Sequence, residues 1–100
     1  MLGQVSRSWE VIGYESASEI FQALIPVGCI TIRQLHVLLQ VLVAKHGLTD
    51  DEIVGCFLKR NTKGYQHHLE ITSENIDAER RTNYYCGSNP HFVARLRVDQ

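Results

Sequence analysis

An α+β domain, mostly α, is the fold class the sequence predicts: a core of three helices, then a carboxy-terminal β-hairpin. Three observations predict it. Two stretches, "TIRQ" at 31–34 and "TDDE" at 49–52, place a threonine three residues before a glutamine or glutamate, the spacing of a capping box. Leucines recur at helical intervals after the first of them. Near the carboxy terminus, "RRTNYYC" and "HFVARLRV" flank the turn-rich Gly87, Ser88, Asn89 and Pro90, a hairpin signal. The 100 residues suit one modest core. A hydrophobic share of 44% with 21% charged residues is that of an ordinary folded domain. We therefore expect residues 1–30 to form a short extension and residues 31–98 the folded domain.

Taken in order, "VSRSWEV" alternates Val5, Arg7, Trp9 and Val11 against Ser6, Ser8 and Glu10, a period of two that suits a strand. Ser16 and Glu19 have capping-box spacing, and Ile20, Phe21, Leu24 and Ile25 follow at helical intervals before Pro26 and Gly28, so a short helix is expected. Thr31 with Gln34 opens the next helix, stapled by Ile30 and Leu35 and closed near His46 and Gly47. Leu35, Leu38, Leu39, Leu42, Val37, Val41 and Ala44 make it apolar on most sides, the expectation for a central core helix. Thr49 with Glu52, and Leu48 with Ile53, repeat the device. Asp50, Asp51 and Glu52 complement the positive end of the helix dipole, and Ile53, Val54, Phe57 and Leu58 mark an expected buried stripe. Gly47 and Leu48 alone separate the two helices, so they meet at a sharp angle. A third helix is expected over 61–72 with Tyr65, His68 and Leu69 inward, against the cost of Gly64 in its interior. In the last strand Phe92, Ala94, Leu96 and Val98 share one face, and Val93, Arg95 and Arg97 the other.

Charge is unevenly spread beneath a net charge of −1. Residues 1–58 hold three basic side chains against six acidic ones, and residues 59–97 hold seven against four, so the carboxy-terminal half is the cationic one. No run of about 18 apolar residues and no basic-then-apolar amino terminus is present, so the expected compartment is the cytoplasm, with no membrane partner. Three cysteines without close pairing argue for reduced thiols. Cys56, His67, His68, Cys86 and His91 match no metal-site spacing, and no group orients a nucleophile, so neither cofactor, metal nor enzyme is expected.

Core helix, sharp turn, capped helix, polar-faced helix and cationic hairpin follow the order of a winged helix-turn-helix. "TIRQLHVLLQVLVAKHGLTDDEIVGCF" resembles the DNA-binding lobe of MarR-like transcriptional regulators through Thr31, Gln34, Val37, Leu38, Leu48, Thr49, Glu52 and Ile53. Two departures stand out: Arg60, Asn61, Thr62, Lys63 and Gly64 replace small serine-rich residues, and the 100 residues contain no counterpart of the family's dimerising helices after the wing. The resemblance implies a small regulator, a repressor by the simplest mechanism, that binds double-stranded DNA as a homodimer. Lys63, Gln66 and His67 would read the major groove, Lys59, Arg60, Asn61 and Thr62 would hold phosphate, and Arg80, Arg81, Arg95 and Arg97 would arm the wing. Dimerisation would then fall to residues 1–30, including Trp9, Phe21 and Ile25. The alternative is a winged-helix protein-interaction module, such as a phage-encoded inhibitor or adaptor, favoured by the near-zero net charge, Gly64 and Glu70.

Overall fold

The structure, a computed structural model, describes residues 6–75 and 82–99. Its centre is a five-stranded antiparallel sheet, and the mostly helical winged fold expected from the sequence is not the one observed. The strands are β1 (Ser6–Glu15), β2 (Ser18–Pro26), β3 (Ile71–Asn75), β4 (Thr82–Gly87) and β5 (His91–Asp99), in the spatial order β2-β1-β5-β4-β3. Two helices, α1 (Ile32–Gly47) and α2 (Asp50–Cys56), lie between β2 and β3 in the chain.

The strand expected around Trp9 is present, and β1 lies inside the sheet between β2 and β5. Paired residues share a face: Trp9 lies opposite Ile25 and Leu96, Val11 opposite Ala23 and Ala94, and Gly13 opposite Phe21 and Phe92. Residues 6–26 are thus two strands of the sheet rather than an extension. Gly13 is required by close packing, since a Cβ there would stand 2.2 Å from the Phe92 ring.

The helix expected after Ser16 is instead the edge strand β2. Ser16 turns the chain with φ of 55°, a left-handed conformation that an N-cap residue, which needs extended backbone, does not have. The apolar residues behind it then alternate: Phe21, Ala23 and Ile25 are half-buried, while Gln22 and Leu24 are exposed.

Helix α1 starts as expected. Thr31 Oγ1 accepts from the Gln34 amide and the Gln34 side chain accepts from the Thr31 amide, both at 3.0 Å. Leu35, Leu39, Leu42 and Val43 form one stripe packed over β4 and β5, in a core with Trp9, Val11, Phe92, Ala94 and Cys86. Burial of apolar surface at about 25 cal/mol per Å² holds helix to sheet. Burial also pushes the Cys86 thiol up to about 12, with the nearby Cys56 adding to the shift.

Helix α2 is capped in the same way by Thr49 and Glu52 and ends at Cys56. The Thr49 backbone donor, then the Thr49 hydroxyl, hold the Glu52 carboxyl below its ordinary range. Ile53 is half-buried, but Val54, Phe57 and Leu58, expected in a buried stripe, are exposed.

No helix spans 61–72. Gly64 sits at φ of 95°, a left-handed position that interrupts an α-helix. The segment instead folds back on α2: Gln66 N donates to Gly55 O at 3.2 Å, and a Cβ on Gly55 would stand 2.9 Å from Gly64 O. The absence of a Cβ on Gly55 is what lets the Gly64 carbonyl come this close. The chain then enters β3. The carboxy-terminal hairpin is present as β4 and β5, with the two faces of β5 as expected.

Candidate functional site: an apolar groove between the helices

The residues expected to read DNA fall into separate groups. Lys59, Arg60, Asn61, Thr62 and Lys63 occupy an exposed run of turns, in which Thr62 N donates to Lys59 O and Tyr65 N to Thr62 O. Arg60 and His67 converge on Glu70. Arg60 Nη2 donates to Glu70 Oε2 at 2.6 Å, the Tyr65 hydroxyl donates to the same oxygen at 2.6 Å, and His67 Nδ1 lies 3.1 Å from it. A carboxylate can only accept, so this ring nitrogen carries the proton. The Tyr65 hydroxyl, then His67 and Arg60, hold the Glu70 carboxyl down to about 2. Gln66 turns toward Gly55 and its Oε1 lies 2.7 Å from His68 Nε2. His68, half-buried as expected, also lies 3.6 Å from Glu52 Oε2.

Arg95 and Arg97 are on the sheet face that carries Glu10, away from the α1 core. Arg95 Nε donates to Glu10 Oε1 at 2.8 Å, and Arg97 Nη1 lies 3.8 Å from Glu10 Oε2. Arg80 and Arg81 lie outside the described residues. With no helix over 61–72, Lys63, Gln66 and His67 share no rod face that would enter a major groove beside the hairpin arginines. Trp9, Phe21 and Ile25, the expected dimer contacts, are spent on the chain's own core.

Two concavities stand out among the described residues. One, of about 340 Å³, is lined by His67, His68, Glu70, Thr72, Tyr85 and Ser88 among others. Its polar groups largely satisfy one another: Glu70 Oε2 takes three donors, and Tyr85 donates to Glu74 while accepting from Asn83.

The other differs in kind. Helix α1 carries a second apolar stripe at spacings of four and three, in which Val37 and Val41 are exposed and Ala44 is half-buried at the edge of the core. The side-chain amide of Gln40 donates to Leu69 O at 2.9 Å and fastens the segment before β3 alongside α1. Helix α2 brings Ile53 and Phe57 to the opposite side. Together they enclose a groove of about 420 Å³ whose one charged lining residue is Lys45. The surface around it is unusually apolar for solvent exposure: Phe57 is 74% exposed, Val54 61%, Val41 54% and Val37 50%. Sequence reading missed this site by assigning every apolar residue of α1 and α2 to the core. The usable signal was the breadth of α1's apolar surface, since one sheet can cover only one side of a helix.

Searches against protein-family models, curated proteins and solved structures find no match to this chain. Among the described residues, no helix is long and apolar enough to cross a membrane.

Proposed function

We propose that this chain is a protein-interaction module whose binding surface is the apolar groove between α1 and α2. The observation that carries the reading is the exposure of Phe57, Val41 and Val37 on the lining of a preformed apolar groove. Contiguous exposed apolar surface rimmed by polar groups marks sites where another macromolecule excludes water. The groove also has few groups to pair with a polar ligand, because the Gln40 amide is engaged with Leu69 O. An occupant whose backbone is satisfied internally, as in an amphipathic helix, meets no desolvation penalty there.

The test is a nuclear magnetic resonance titration with a synthetic amphipathic helical peptide bearing leucines at i, i+4 and i+7. Shifts should concentrate at Val37, Val41 and Phe57 and vanish in Val41→Glu. Shifts scattered over the molecule, or none, would contradict the reading.

Duplex DNA binding is the second reading, favoured by the exposure of Lys59 and Lys63 in the turn after α2. Two phosphate contacts give a logarithmic salt slope of only about −1.8, from roughly −0.9 per contact. Affinity for random duplex falling with that slope between low and physiological salt would support it. Absence of binding at low salt would remove it.

A further inference from the structure

The interaction surface sets an exposed side chain beside a groove and opposite charges at the two ends of α2. A knob and a hole sit side by side, since Phe57 stands 74% exposed on the wall of the groove formed by Val37, Val41 and Ala44. The chain around α2 is also charged oppositely at its two ends. Asp50 and Asp51 are exposed in the first turn, and Lys59 and Lys63 are exposed just beyond the last, with Val54, Phe57 and Leu58 between them.

We infer that the groove takes a second copy of this chain, related by a two-fold axis, with the two α2 helices antiparallel; the inference rests on the reading of the groove as a protein-binding surface. In that arrangement each Phe57 enters the other copy's groove against Val37 and Val41. Helix α2, residues 50–56, spans roughly 10 Å at about 1.5 Å per residue, with Phe57 and Leu58 just past its end. An antiparallel pair centred near Val54 therefore sets Asp50 and Asp51 of one copy beside Lys59 and Lys63 of the other, twice by symmetry. Such an isologous contact closes on itself as a dimer. A parallel arrangement would face acid with acid and base with base, which costs association free energy.

The footprint is small. The outer sides of α1 and α2 cover roughly 400 Å² per copy at helix dimensions of about 1.5 Å rise and 10 Å width. A stable interface covers about 800 Å² per partner, so weak, reversible association is expected.

Sedimentation equilibrium of the full chain over a wide concentration range tests this, using four proteins. The wild type should show a monomer–dimer equilibrium, and Phe57→Glu should be monomeric throughout. Asp50→Lys with Asp51→Lys, and separately Lys59→Glu with Lys63→Glu, should each weaken association at least about tenfold by setting like charges together. An equimolar mixture of these two charge variants should regain wild-type affinity to within about threefold, because both contacts then join opposite charges. That recovery also shows that both variants are folded.

Failure to recover on mixing, or a dimer that persists in Phe57→Glu, would overturn the two-fold arrangement. A wild type that stays monomeric while the helical peptide still shifts Val41 would overturn the self-association and leave the interaction reading standing. Monomeric protein with no peptide response would remove both.

Discussion

Glu70 is the single side chain on which the segment after α2 depends most. Tyr65, His67 and Arg60 all deliver donors to one of its oxygens, so Glu70→Gln replaces a charged acceptor by a neutral one and loosens residues 57–70 together. The sign of its pH dependence follows from the shift. A carboxyl lowered from 4.5 to about 2 stabilises the folded segment fully above pH 4.5, and that contribution is lost as pH falls from there toward 2. Limited proteolysis should detect cleavage between residues 57 and 70 growing over that window in the wild type. In Glu70→Gln the same cleavage should already be present at neutral pH. Gly13 is the other decisive residue. Its missing Cβ makes room for Phe92, so Gly13→Ala should cost about 1–3 kcal/mol by overpacking, measured by denaturant unfolding.

At the scale of elements, the starts of α1 and α2 were legible, whereas the helix starts expected at Ser16 and near Asn61 did not form. Each capping box is a local arrangement of a few atoms, and both Thr31–Gln34 and Thr49–Glu52 form as their spacing implies. Thr31→Ala should cost about 1 kcal/mol. Leu39→Ala, which empties a fully buried site beneath α1, should cost about 2–5 kcal/mol, and thermal or denaturant melts would separate the two. The last hairpin was legible too, because alternation in "HFVARLRV" coincides with a turn signal.

The misread elements share a cause. Ile20, Phe21, Leu24 and Ile25 fit helical spacing, whereas Phe21, Ala23 and Ile25 fit a strand, and a short apolar run cannot decide between them. What decides is the pairing of β2 with β1, a long-range contact no local pattern encodes. Over 61–72, hydrophobic spacing outweighed Gly64, whose left-handed conformation against Gly55 is the observed outcome. The MarR-like resemblance was carried by the same capping boxes, and these lead here into a sheet rather than a recognition helix.

Over the whole molecule, the sheet covers one side of α1 and leaves Val37 and Val41 on the other side exposed. Two members of the cationic half are paired within the chain, Arg60 with Glu70 and Arg95 with Glu10. The groove was hidden in the sequence, where a leucine facing a sheet and a valine facing solvent look alike. The central claim is that Val41 and Phe57 serve binding and not the folded core. Equilibrium denaturation of Val41→Asp with Phe57→Asp, at a concentration where the wild type is monomeric, tests it most directly. The unfolding free energy should change by no more than about 0.5 kcal/mol per site, as for surface positions. A loss of about 2–5 kcal/mol per site, the cost of disrupting buried residues, would place the patch in the core and contradict the claim.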